Sequence, residues 1–395
     1  MGFCVPAPVI AQQTLQGFQS FRLLGPLFDP LHRVGTARDR AGHWPLFYEP
    51  YATWLLVDFF NPTVTRLRGL QQTTTWAQVQ TQVGIRRTSL GARSAAASVV
   101  DAALLPQVLI TLSRQLRPHL AGVAQAALAA LTAVDGSLVP ALPRMLWAVW
   151  QDAQHRAAKM PVALAVFRQG PVAVTVTAGN ASERAEGRRL VPPGGLDVFD
   201  RGDVDDDVVQ ALHDLPWSFL GRGKANAAYE VQEARPVPAV ARAAGVTRAV
   251  GLCRLGTAPH SRLLPPPFRL VQVATGQTDA QGTPEVRMCV TNPLDLDAAL
   301  VAVAYRHRWA VEWFFRWVKC GLGCRHLVSQ TANGVRRQVS LALIASLLSS
   351  LWVGRTPTKR PYEMLCFYLS GWASETELIA HIERLHRKAP PPCKN

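Results

Sequence analysis

The chain has 395 residues, 48% of them apolar and 17% charged, which fits a globular protein with a sizeable core and excludes a disordered one. Lys and Arg outnumber Asp and Glu by 42 to 27, and the resulting charge of +15 favours a polyanionic partner, nucleic acid ahead of an anionic membrane. Seven scattered cysteines argue against a disulfide framework, and the longest apolar run, 341–353, is too short and serine-rich to span a bilayer, so a soluble, intracellular protein is expected.

Residues 1–130 read as mostly helical. In "TTTWAQVQTQVGIRRTSLGARSAAASV" (73–99), Gly84 separates two helical patterns, with Thr88 or Ser89 as N-cap of the second. That arrangement suits either a helix-turn-helix on DNA or an ordinary helical hairpin with a solvated basic face. At residue 131 the texture changes. "LTAVDGSLV" (131–139) reads as a strand that stops at Asp135, and "PVALAVF" (161–167) and "PVAVTVTAG" (171–179) read as a hairpin joined by "RQG". A helical stretch, "NASERAEGRRL" (180–190), precedes a strand in "GLDVFD" (195–200) that ends on Asp200. Residues 217–283 are a run of short strand patterns, "SFLGRG", "AAYEVQ" and "FRLVQVATG", with proline-rich breaks, and "EVRMCVTNP" (285–293) is a further strand. "DLDAALVAVAYRHRWAVEWFFRWVKCGLG" (295–323) then predicts one long helix, capped near Asp295 or Asp297, and two more helical segments follow near 333–353 and 374–387. The CGLGC pair, Cys320 and Cys324, lacks the second ligand pair of a structural zinc site.

The segment 301–360 carries ten Lys or Arg and one acid, Glu312. On an ideal helix Tyr305, Arg308, Glu312 and Lys319 share a stripe about 60° wide, and apolar side chains cover much of the remainder. The expected helix is therefore buried nearly all round, with one polar seam. That seam suits a structural ion pair, or a metal ligand flanked by phosphate holders. Asp135 and Asp200, each followed by or close to a turn glycine, suit turn aspartates or ligands at a sheet edge. Three acids from separate elements would provide the clamp that phosphodiester cleavage requires: two divalent ions roughly 4 Å apart, held by hard oxygen donors.

Y-x2-R-x3-E-x6-K, as Tyr305, Arg308, Glu312 and Lys319, resembles the signature of the insertion-sequence-four transposases, a DDE group with an RNase H-like core. "VDGS" (134–137) and "DRG" (200–202) resemble the segments carrying that family's two aspartates, and "FNPTVTRLRGLQQ" and "GIRRTSLG" resemble the N-terminal region of one of its branches. The resemblance implies an α/β fold: an RNase H-like mixed sheet with flanking helices, interrupted by a β-rich insertion and preceded by a helical N-terminal region. The corresponding units are a DNA-end-binding region at 1–130, core at 131–216 and 284–330, an insertion at 217–283, and a C-terminal helical region at 331–395 open to a dimerisation role. It implies a cytoplasmic, DNA-associated cut-and-paste transposase working as a synaptic homodimer on its terminal inverted repeats and target DNA, through a hairpin intermediate. Asp135, Asp200 and Glu312 would bind two Mg²⁺, with Mn²⁺ able to substitute. Tyr305, Arg308, Lys319, Arg222 and Lys159 would contact DNA phosphates. The acid run Asp203–Asp207 departs from the aromatic residue that many relatives carry after "DRG". A nuclease that cuts without joining, or a silent DNA-binding descendant, are the alternatives.

Overall fold

The computed structural model describes residues 33, 48–59, 67–75, 77, 80, 86–118, 128–152, 154–190, 194–199, 218–223, 229–255, 268–278, 282, 284–324, 326–354, 359–369 and 372–387. Helices α1 (Tyr48–Phe59), α2 (Leu67–Thr73), α3 (Leu90–Val99) and α4 (Leu105–Gln115) come first. Ser89 is the N-cap of α3, its Oγ accepting from the Ala92 amide at 3.0 Å, whereas the expected turn at Gly84 lies outside the described residues.

One sheet then dominates. Strands β1 (Leu131–Pro140), β2 (Ala157–Ala165), β3 (Gly170–Val174) and β4 (Thr177–Ala178) precede α5 (Glu183–Leu190). After β5 (Leu196–Phe199) and β6 (Ser218–Arg222) come β7 (Tyr229–Arg235), α6 (Ala239–Ala243), β8 (Val246–Leu255), β9 (Phe268–Thr278) and β10 (Pro284–Thr291). The order is β3-β2-β1-β5-β6-β10-β9-β8-β7, with β4 on β2. β1, β5 and β6 are mutually parallel, and the other pairings are antiparallel. The strand-rich stretch thus continues the main sheet, and its first strand, β6, sits between β5 and β10. β8 adds a ten-residue strand that the sequence patterns did not single out.

Alternation along the strands divides the core in two. Leu131, Ala133, Val139, Val198, Leu220 and Cys289 join the larger cluster on one face, hereafter the first face. Val134, Ala163, Phe199, Phe219, Met288 and Val290 form a smaller cluster on the second face with Leu190 of α5. Across the first face run α7 (Ala298–His307), packed on β6, β8 and β9, and α8 (Ala310–Arg316), packed on β1. The long α9 (Ala332–Val353) packs on α1, α4 and β3, and its Asn333 accepts from the Ala102 amide and donates to the Val100 carbonyl, both at 3.0 Å. α10 (Lys359–Leu369), absent from the sequence reading, and α11 (Glu375–Arg387) close the described chain. Among the described residues no helix is long and apolar enough to cross a membrane.

The single helix expected over 295–323 is three pieces. Asp297 does cap it, accepting from the Ala299 amide at 2.6 Å. Arg308 and Val311 amides then bond three residues back, to Tyr305 and Arg308 carbonyls, which tightens the winding between α7 and α8. Residues Trp317–Gly321 widen into a π turn, closed by the Leu322 amide on the Trp317 carbonyl. The cause is Trp317: its indole donates to Ser346 of α9 at 3.0 Å and meets Tyr362 edge-on, and a Cβ on Gly321 would stand 2.5 Å from its ring.

Candidate active site

β1 does not stop at Asp135. It continues to Pro140 because β2 pairs with it throughout, from Thr132↔Ala165 to Pro140↔Ala157. What ends near Asp135 is the β1–β5 ladder, last paired at Ala133↔Val198. Asp135 shares the odd positions of Leu131, Ala133 and Val139, so it stands on the first face, half-buried, with Oδ1 accepting from the Gly136 amide at 2.7 Å. β5 ends at Phe199, and Asp200 lies outside the described residues, as does the acid run at 203–207.

Glu312 reaches the same face from α8, where Val311, Phe314 and Phe315 bury themselves against the larger cluster. Its carboxylate is half-exposed and accepts from Arg308 Nη2 at 2.8 Å, while the Arg308 side chain is only 3% exposed. A guanidinium buried beside a partly solvated carboxylate fixes the carboxylate more than it reaches for solvent. Tyr305, also buried, lines a cavity of about 140 Å³ with Val273, Thr275, Arg287, Arg306 and Trp309. Lys319 is half-buried in the π turn.

Two expectations need correction. The helix is not packed all round: Trp309 and Trp313 are 44% and 63% exposed, with Arg308 and Arg287 against the Trp309 ring (5.2 and 6.0 Å) and Arg316 against Trp313 (5.1 Å). Lys159 is not with Asp135 and Glu312. It pairs with Leu138 and, sharing the parity of Ala163, faces the second side of the sheet, where Nζ donates to the Ala181 carbonyl at 2.9 Å. Arg222 does stand on the first face, opposite Cys289, with Nη2 3.8 Å from Glu285 Oε1.

Sequence reasoning missed Arg287, Glu285 and Asp197. The first two share the odd positions of β10 with Cys289, a pattern visible in "EVRMCV", but only the fold brings Trp309 against Arg287. Asp197 shares the second face with Phe199 and pairs with Phe219; it is 1% exposed, and its Oδ1 has no hydrogen-bond partner among the described residues. Burial pushes its carboxyl up to about 8, so it is a neutral acid in the core. Among the described residues no three His, Cys, Asp or Glu side chains gather as a metal site, and Cys320 is exposed while Cys324 is buried.

Residues 127–348 match the family described as "Transposase DDE domain". The chain is 27% identical over 266 residues to a Sinorhizobium fredii protein named as transposase y4zB, covering 67% of this chain and 71% of that one. Over 70 residues, 18% of each chain, it is 44% identical to a transposase named for insertion sequence element IS5377 of Geobacillus stearothermophilus. Among solved structures it is similar to a piggyBac transposase synaptic complex with hairpin DNA, at a TM-score of 0.44 and 10% identity over 95% of this chain and 82% of that one. Since the family match spans more than half of the chain and takes in β1, the whole mixed sheet and the helix carrying Glu312, the protein belongs to the transposases with a DDE domain.

Proposed function

We propose that this transposase is a cut-and-paste enzyme of the insertion-sequence-four type, with an RNase H-like core that cleaves and rejoins DNA at its element's terminal inverted repeats. The observation that carries the reading is that α8, the helix bearing Glu312, packs on β1, whose Asp135 stands on the first face. Asp200 is proposed as the third acid on the strength of the "DRG" segment, which follows in sequence directly after β5, the strand parallel to β1. The path β3-β2-β1-β5-β6, antiparallel then parallel, supports the RNase H-like reading.

Asp135, Asp200 and Glu312 are hard oxygen donors of the kind that suits Mg²⁺ or Mn²⁺, and the two described ones are half-buried, neither lost in the core nor fully solvated. Two bound ions would supply Lewis-acid stabilisation of the attacking and leaving oxygens. Arg308 orients Glu312 through its 2.8 Å contact, and Tyr305, Lys319 and Arg222 hold phosphate oxygens of the strand being cut. Water attacks phosphorus, the P–O3′ bond breaks, and the products are a 3′-hydroxyl and a 5′-phosphate. The 3′-hydroxyl then attacks a phosphate of the opposite strand, exchanging one phosphodiester bond for another, which closes a hairpin without an external energy source. Helices within 1–130 would bind the element ends, and the 331–395 region would serve a synaptic homodimer.

The test is to incubate the protein and Mg²⁺ with duplex DNA carrying the sequences that flank its gene. The expected products are nicked ends, covalently closed hairpins on a denaturing gel and, from pre-nicked ends, joined strands. Asp135→Ala, Asp200→Ala and Glu312→Ala should abolish cutting and leave DNA binding largely intact. A variant that cuts at near wild-type rate removes that residue from the ligand set. Cutting without joining of pre-nicked ends identifies a nuclease instead.

A further inference from the structure

The first face carries a second group of charges, on β6 and β10, gathered around Arg222. Glu285 and Arg287 on β10 and Arg222 on β6 project from this side together. Glu285 Oε1 stands 3.8 Å from Arg222 Nη2 and 3.4 Å from Arg287 Nε, and Oε2 accepts from Thr275 Oγ1 at 3.1 Å. Both arginine contacts are longer than the 2.7–2.9 Å of a well-made charge-assisted bond, so one carboxylate is loosely shared between two guanidinium groups. All three side chains are partly exposed. Arg287 also lies 6.0 Å from the centre of the exposed Trp309 ring and, with Arg306 and Tyr305, lines the 140 Å³ cavity. Arg308, the partner of Glu312, lies 5.2 Å from the centre of the same indole.

We propose that Arg222 and Arg287 form a DNA-phosphate subsite on β6 and β10, and that Glu285 stands in for the phosphate when no DNA is bound. A phosphodiester oxygen offers the same acceptor chemistry as Glu285 but can approach both guanidinium groups without the constraint of a strand backbone. Because the existing pairs are partly solvated and long, little is lost when they open. The subsite is one indole removed from the Arg308–Glu312 pair, so a strand entering there is steered toward the carboxylates. Glu285 then acts as a filter: weak anions do not displace it, whereas a polyanion gaining from counterion release does.

This inference rests on the reading of the chain as a DNA-acting enzyme. The test measures binding of a fluorescent mixed-sequence duplex by full-length protein over a range of salt concentrations, with thermal melts to confirm that each variant is folded. Glu285→Gln keeps shape and loses charge, and should tighten binding about two- to fivefold, the scale of a surface ion pair. Arg287→Ala should weaken binding and flatten the plot of log affinity against log salt by about 0.9. In an Arg222→Ala/Arg287→Ala background, Glu285→Gln should bring no gain, because its benefit acts through those two arginines. A gain that persists in that background, or an Arg287→Ala slope equal to wild type, overturns the subsite while leaving the transposase reading standing. Failure of the wild-type protein to bind any duplex overturns both.

Discussion

Two aspartates of the same sheet half meet opposite fates. Asp135 stands on the first face, half-buried, beneath a helix that brings Glu312 and a row of bases. Asp197, one strand away, stands on the second face with Phe199, paired with Phe219 and buried. The difference is one of parity: Asp197 pairs with Thr132, and a strand sends neighbouring residues to opposite sides. A carboxylate kept from water takes up a proton, and a protonated carboxyl is a poor ligand for a hard cation. The sheet therefore sorts these two acids, leaving the Asp135 carboxylate half-buried on the first face and packing Asp197 into the core.

The largest effect that separates the two should be in cleavage. Glu312→Gln removes a proposed ligand charge worth several kcal/mol in the transition state, so the cutting rate should fall about 10³-fold. Asp197→Asn should leave the rate per folded molecule at pH 7 close to wild type. Equal losses in a single-turnover assay would erase the distinction between the faces.

Stability against pH offers the next contrast. Folded Asp197 keeps its proton up to about pH 8, whereas the unfolded chain releases it near pH 4. Between those limits the folded state binds the extra proton, so its stability falls as pH rises, by about 1.4 kcal/mol per pH unit, and levels off above 8. Asp197→Asn should remove that slope in denaturant titrations across the window. A wild-type profile with no such slope would mean that the carboxyl is not neutral in the core.

The sequence made much of this arrangement legible. Apolar and β-branched runs in "LTAVDGSLV", "PVALAVF" and "EVRMCV" announced strands, and the cap candidates Thr88 or Ser89 and Asp295 or Asp297 included the two that are used, Ser89 and Asp297. Arg308 and Glu312, placed on one helical stripe with an ion pair as one of two readings, do pair. What stayed hidden depends on partners distant in sequence. Lys159 could be read as a base near the site until its pairing with Leu138 turned it to the other face. Nothing local in "SFLGR" tells that β6 lies parallel to β5 and seats β10 beside it. The long helix looked continuous because propensity does not register an indole pinned to Ser346 of the next helix, α9.

That pinned indole gives a smaller prediction on the first face. Gly321→Ala would bring a methyl group to within 2.5 Å of the Trp317 ring, which cannot swing away without losing its bond to Ser346 and its edge contact with Tyr362. Overpacking of this kind costs about 1–3 kcal/mol, and the melting temperature should fall accordingly. Lys319 sits in the same π turn, so DNA binding should weaken beyond what unfolding explains.

The second face provides the counterpart, and the smallest effect. Gly187 lies in the body of α5 with an ordinary helical backbone, and a Cβ there would rest 3.4 Å from Val134 Cγ1 and 3.8 Å from the Phe199 ring. Those are ordinary van der Waals distances, so the methyl group adds contact with the apolar cluster and forces nothing aside. Alanine also costs the unfolded chain less freedom than glycine does, and a helix interior favours it by about 0.5–1 kcal/mol. Gly187→Ala should therefore raise the melting temperature slightly and leave DNA cutting unchanged. A drop in stability as large as that of Gly321→Ala would show that the second face is as tightly specified as the first, and that the sheet does not divide into a working side and a merely packed one.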